Sequence, residues 1–163
     1  MPVPHLTHIF TLHIQAGPET LHAGTQTSNL SRHITSIEGG FLHGVPGTRS
    51  SGLDATLVPG GSDWILRDEV KNLIHVDVRT QGRTATGECV YIQYKGHLGL
   101  DETAVRFLRR DADSGVGSTE FGAHDWWIVP RFEFSYPEYN WVERTVFFGR
   151  GRFYLEGGVR AVE

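Results

Sequence analysis

Eight residues near the middle of the chain restrict its fold more than any others. Leu73, His75, Asp77 and Arg79 alternate with Ile74, Val76, Val78 and Thr80. That alternation is the two-residue period of a strand, whose successive side chains point to opposite faces. One face carries an imidazole, a carboxylate and a guanidinium in line, and the other is mostly aliphatic. If the aliphatic face is packed, the polar face meets either solvent or a polar cavity. Just upstream, Leu57 to Trp64 reads as a strand end, a Pro59-Gly60-Gly61 turn and an Asp63-Trp64 pair at its rim.

The same alternation recurs along the chain. His5 to Ile14, Arg32 to Glu38, Leu53 to Val58, Glu88 to Lys95, Trp126 to Phe134, Trp141 to Arg150 and Gly151 to Val162 all read as strands. Gly39-Gly40 breaks or bulges the second of these, and Gly157-Gly158 interrupts the last. Gly82 and Gly87 signal a hairpin, and Pro130 implies an edge or a bulge. Gln15 to Ser31 and Asp111 to Thr119 read as loops, and Ser135 to Asn140 as a turn. Asp101 to Arg110 is the one convincing helix: an Asp cap, Glu102 in the first turn, Arg109-Arg110 in the last. Twenty glycines and seven prolines in 163 residues add many turns. Closing the sheet removes its edges, so the expected architecture is all-β. It is a closed antiparallel barrel of about 8–10 strands in one domain, 1–163, with a polar interior cavity and at most one short helix.

Composition excludes several classes of function. A net charge of -4 and an isoelectric point near 6.1 argue against nucleic acid as a partner. No apolar run approaches eighteen residues, so no membrane helix is expected. The first ten residues lack a charged and apolar leader pattern, and the single Cys89 cannot form an internal disulfide. Both point to the cytoplasm. Nine histidines are scattered without HxH or HExxH spacing, so no metal site is expected. GxSxG, phosphate-loop and GxGxxG patterns are missing, and no cofactor is expected either.

Three strands offer an ionisable face opposite an apolar one. His75, Asp77 and Arg79 stand on the first, Tyr91, Gln93 and Lys95 on the second, Arg131 and Glu133 on the third. They form either a solvated outer surface with cross-strand ion pairs or the lining of a barrel lumen. Asp63 either caps its turn or, if desolvated, serves as a general base. Cys89 reads as a small core residue.

Three blocks, taken in order, resemble a known family. LVPGGSDWILR, HVDVRTQGRTATGECVYIQYKG and PRFEFSYPEYNWVERTVFFGRGR, with EGGFLHG upstream, are similar to the motifs of domain of unknown function 3237. The sequence departs from the family pattern at Val78, Thr80, Ser135-Tyr136 and Glu143. The resemblance implies a small closed antiparallel barrel and is compatible with a cofactor-free role in secondary metabolism. By motif match it implies that Asp63, Trp64, Asp77, Arg79, Arg131, Glu133, Tyr139 and Trp141 surround a shared pocket.

These readings converge on a small molecule bound inside the barrel. The leading expectation is a cofactor-independent isomerase, cyclase or hydro-lyase working by proton transfer on a natural-product-like molecule. Asp63, His75, Asp77 and Glu133 are its candidate catalytic residues. Trp64, Arg79, Tyr91, Arg131, Tyr139 and Trp141 are its candidate substrate-binding residues. The alternative is a carrier barrel without chemistry. A third reading is an interaction protein with solvated polar rows. Apolar strand faces suggest a homodimer.

Overall fold

The structure is a computed structural model that describes residues 3, 5–110 and 115–163. The expected loop 111–119 therefore lies partly outside the described residues. Ten strands form one antiparallel sheet: β1 (Phe10–Thr25), β2 (Ser31–Gly44), β3 (Asp54–Leu57), β4 (Ser62–Asp68), β5 (Leu73–Thr84), β6 (Cys89–Gly99), β7 (Trp126–Phe134), β8 (Gly149–Arg150), β9 (Phe153–Glu156) and β10 (Val159–Val162). The pairing path runs β8-β7-β6-β5-β3-β2-β1-β10-β9, and β4 also pairs with β2 and β5. β3 and β4 lie end to end between β2 and β5, and β8 and β9, joined through 151–152, pair with β7 and β10, which closes the barrel as expected. Across the seam, Gly151 N–H donates to the Trp126 carbonyl at 3.3 Å. Arg152 and Glu163 exchange both backbone bonds, at 2.8 and 3.1 Å.

β5 and β6 carry the regular alternation and pair without a break from Leu73↔Gly99 to Arg83↔Cys89. The core collects Leu42, Ala55, Ile92 and Phe153, all fully buried, with Val78, Val90 and Val142 beside them. α1 (Glu102–Arg109) forms as expected, with Asp101 Oδ1 accepting the Ala104 N–H at 2.7 Å. Pro130 pairs with Tyr94 on one side, while β8 reaches only Trp127 and Ile128, so Pro130 lies on an open edge.

Several expected boundaries are corrected. The loop at 15–31 is two long hairpin arms, joined by a turn in which Gln26 N–H donates to the Leu30 carbonyl at 2.8 Å. Bulges at Gln15/Ala16, Ala16/Thr20 and His22/Thr25 break the two-residue period and hide the strand from pattern reading. Residues 5–9 precede β1 and are not strand. Gly39-Gly40 does not end β2. Gly40, at φ +129°, lets the His13 carbonyl come so close that a Cβ would meet it at 1.9 Å. Asp63 and Trp64 lie within a strand, not on a turn rim. Residues 137–140 of the expected turn and the first four of the expected strand 141–150 form a 3-10 helix, Pro137–Arg144, led by a proline that fixes its first φ, and only Gly149–Arg150 of that strand is extended in the sheet. That adds a second helical element to the one expected. Cys89 is exposed, not core.

Among the described residues no helix is long and apolar enough to cross a membrane.

Candidate functional site

The inward faces of the strands enclose a cavity of about 290 Å³, bounded by β1, β2, β4, β5, β6, β10 and α1. Most of its wall is apolar, including Ile37, Ile65, Ile74, Val76, Val78, Leu98 and Phe107. Among the described residues one carboxylate lines it: Asp63. β4 presents Asp63, Ile65 and Arg67 to the cavity at alternate positions, as the strand period dictates.

The local ladder explains how Asp63 is held. β4 and β5 pair at Ser62↔Arg79 and Asp63↔Val78, then resume at Leu66↔His75. In that gap Asp77 N–H donates to Asp63 Oδ1 at 3.1 Å, so a side-chain oxygen stands where a backbone carbonyl would pair. The Trp64 carbonyl beside it accepts from the Arg32 guanidinium. Opposite Asp63 on β2 stands Thr35, whose hydroxyl meets that of Thr20 at 2.8 Å. Asp63 is half-buried and lines the cavity. Burial accordingly pushes its carboxyl up to about 7. The Asp77 N–H pulls it down, the Asp77 charge pushes it up, and Arg32 pulls it down.

Tyr94, from β6, lines the same cavity and is 6% exposed. Burial, and then the nearby Asp63 charge, hold its hydroxyl well above the ordinary phenol range. It therefore stays protonated and can donate a hydrogen bond at any physiological pH. Tyr94 also belongs, with Ile14, Trp126 and Val162, to the wall of a second cavity of about 150 Å³. That second space is aromatic, lined by Phe10, Phe132, Phe147 and Phe121.

Arg67, Arg110, Arg160 and His33 also line the larger cavity, and the Arg110 and Arg160 charges, near enough to act on one another, make one basic end. His33 is held below its usual range by burial, then by His22 and Arg67, against a raising effect of Glu69.

The other nine sequence-derived site residues lie elsewhere. The row His75, Asp77, Arg79 faces outward, because Ile74, Val76, Val78 and Thr80 take the buried side. Asp77 lies 3.1 Å from Lys95 and 3.8 Å from Arg79. The expected polar lumen wall is thus the outer surface, with cross-strand ion pairs. Arg131, Glu133 and Tyr91 share that outer face, since Phe132, Phe134, Val90 and Ile92 are buried. Trp64 stacks under the Arg79 guanidinium at 5.5 Å, also outside. Tyr139 is buried in the 3-10 helix against Phe134, and Trp141 packs on Phe10 beneath Arg49. Only Asp63 lines the cavity. Of the residues that sequence reasoning passed over, Arg67 follows from continuing the β4 alternation. Tyr94 shares the apolar face of β6. Arg110 and Arg160 carry no local signal, since they meet through the fold. Among the described residues no three His, Cys, Asp or Glu side chains are grouped to hold a metal ion.

The family described as protein of unknown function (DUF3237) matches residues 4–163. No curated protein matches the sequence. Solved structures share the fold. A conserved protein of unknown function from Rhodopseudomonas palustris superimposes at TM-score 0.78 with 22% identity, covering 99% of this chain and 95% of its own. A β-barrel-like protein from Acinetobacter baumannii gives 0.68 and 25%, with coverages of 99% and 95%. A protein of unknown function from Clostridium acetobutylicum gives 0.69 and 17%, with coverages of 96% and 93%.

Proposed function

The chain belongs to the DUF3237 family, and from that premise we propose that it is a cofactor-independent enzyme moving a proton on a small molecule inside the barrel. The observation that carries the reading is Asp63: among the described residues the one carboxylate in a largely apolar cavity, with its pKa near 7. A base of that strength is half ionised at neutral pH and can both take and return a proton.

The step we propose is a carbonyl isomerisation. The Asp63 carboxylate removes a proton from the carbon beside a carbonyl and becomes the carboxylic acid. The C–H electron pair moves into the π system and leaves an enolate. The Tyr94 hydroxyl, kept neutral by burial, donates a hydrogen bond to the enolate oxygen. Asp63 then returns its proton to a different carbon, and no electrons are gained or lost. The apolar walls exclude water, which strengthens the Tyr94 contact and keeps the base desolvated. His75, Asp77 and Glu133 have no part in this step, because they face outward.

Proton exchange tests the reading without a known substrate. Small cyclic ketones and enones are incubated with the protein in D2O, and deuterium uptake is followed by mass spectrometry. Wild-type protein should label at least one compound, and Asp63→Asn should slow it by about 100-fold or more. A second arm follows the Asp63 carboxyl carbon by NMR, where a midpoint near 7 is expected. Equal labelling by both proteins, or a midpoint near 4, counts against the enzyme. Saturable binding with no labelling would instead favour a carrier barrel, the reading that an enclosed apolar cavity also fits.

A further inference from the structure

The basic end of the cavity is at odds with the rest of its wall. Arg160 of β10 lies with its guanidinium 4.4 Å over the Phe107 ring and donates to the Phe107 carbonyl. Arg110, the left-handed residue that ends α1, donates to the Gly17 carbonyl of β1. Both contacts spend one N–H on a backbone oxygen, which does not neutralise the charge. Among the described residues neither arginine is in an ion pair. Burial, and then the Arg110 charge, lower the Arg160 pKa, as expected for two cations facing one another.

Arg67 adds a third cation from β4. Its Nε lies 2.8 Å from Glu69 Oε1, yet the contact has the angle of an ion pair and not of a hydrogen bond. That Nε–H is buried without an acceptor. A buried donor left unpaired costs free energy, and so does bringing like charges together. An anion would relieve both costs. The guanidinium fork suits a planar oxyanion that accepts two hydrogen bonds.

Resting on the reading of this cavity as a substrate site, we propose that its ligand is an apolar molecule bearing one carboxylate. The carboxylate is held by Arg160 and Arg110, with Arg67 beside them, and the apolar body lies along Ile74, Val76 and Leu98 toward Asp63 and Tyr94. An anionic head at the basic end leaves the body to reach the base. A cavity of about 290 Å³ is at the small end of ligand pockets, which span about 300–1,000 Å³. One or two fused rings fill it.

Matched probes test this with the protein as it is. Naphthalene-1-carboxylate, its neutral carboxamide and naphthalene-1-sulfonate are titrated by calorimetry at low salt. The carboxylate should bind about tenfold more tightly than the amide, the size of one good charged hydrogen bond. Arg160→Gln and Arg110→Gln should each erase most of that preference and leave amide binding unchanged. Asp63→Asn should keep the preference, because the preference belongs to the arginines. Preferential binding of the sulfonate would reassign the head to another oxyanion and overturn the carboxylate. Equal binding of carboxylate and amide overturns the anionic ligand while leaving the cavity as a binding site. Failure of every probe to bind overturns both. If Asp63→Asn abolishes exchange but not the preference, the proton-transfer reading and this one both stand. If wild type shows the preference but no exchange, only the chemistry falls.

Discussion

A carboxylate that a protein buries carries a cost even with a cation such as Arg32 nearby, and Asp63 shows where that cost falls on the pH scale. Its native pKa of about 7 stands above the ordinary 3.8. The native state therefore holds the proton more tightly than the unfolded chain. The stability linked to this group is complete below about pH 4 and is lost as pH rises through about 7. At about 1.36 kcal/mol per pKa unit the whole effect cannot exceed about 4 kcal/mol, and water entering the cavity reduces it. Asp63→Asn keeps an oxygen for the Asp77 N–H and removes the buried charge. It should therefore be more stable than wild type at pH 8 by about 1–3 kcal/mol. The two should be equal at pH 4. Urea unfolding at pH 4, 6 and 8 checks this, and a constant difference across that range would contradict it. The substitution that stabilises the protein is the one expected to abolish proton exchange, which is the opposition expected of a strained functional group.

Among the elements, α1 brings the cavity mouth and the core together. It supplies Phe107 and Leu108 to the wall and ends at Arg110. Asp101 fixes its start twice: Oδ1 caps the Ala104 N–H, and Oδ2 lies 2.6 Å from Nδ1 of the buried His124. His124 Nε2 in turn lies 3.2 Å from the Thr119 hydroxyl. This Asp-His-Thr chain looks like a catalytic relay, but it lines neither cavity, and its work is to pin α1 to the loop before β7. Asp101→Ala removes a cap and leaves a buried imidazole short of a partner, so it should cost about 1–3 kcal/mol. Asp101→Asn, which still caps, should cost less than half of that in thermal unfolding. Equal losses in both would mean that the charge, not the cap, matters. The Asp cap, the acidic first turn and the basic last turn made α1 readable in the sequence. β5 and β6 were readable for a similar reason, since an unbroken ladder keeps the period of two from Leu73 to Thr84. Of β1 only the start, 10–14, was readable, because beyond it three bulges shift the phase and leave residues 18–23 exposed. The site was less legible than the fold. Alternation separated His75, Asp77 and Arg79 from Ile74, Val76 and Val78, yet it does not say which face turns inward. That depends on the other strands, whose Ile37, Ile92 and Phe132 claim the interior for apolar groups. Asp63 was found through a turn motif and turned out to lie in a strand. Arg110 and Arg160 are fifty residues apart in the chain, and only the closed sheet brings them to one opening.

At the scale of the whole molecule, the barrel depends on a short seam. β10 registers against β1 through Ile14↔Val162 alone, and β8 against β7 through two residues. What joins the two ends is the link at 151–152 and the residue facing it. Glu163 exchanges backbone bonds with Arg152, and its carboxylate accepts from Arg152 Nε at 2.7 Å and meets His13 Nδ1 at 2.8 Å. Both His13 and the Glu163 side chain are almost wholly buried, and His13 is stacked on Phe41. Next to this cluster, Val162 lines both cavities. The ion cluster and the ligand space therefore share one wall, so opening the seam would open both cavities. Removing one member of a buried charged network leaves the others uncompensated, at a cost of about 3–5 kcal/mol. Partial exposure of Arg152 sets this cluster toward the lower end of that range. Glu163→Ala should therefore lower stability by about 3 kcal/mol. The loss of hydrogen-exchange protection should be concentrated in β9, β10 and the facing part of β1, while β5 and β6 keep theirs, because their ladder does not cross the seam. If β5 and β6 lose protection to the same extent, the seam is not a separate unit and the barrel opens only as a whole. With the seam loosened and β5–β6 intact, the carboxylate probe should bind more weakly and the Asp63 titration should move back toward the ordinary range. Both depend on a wall that excludes water.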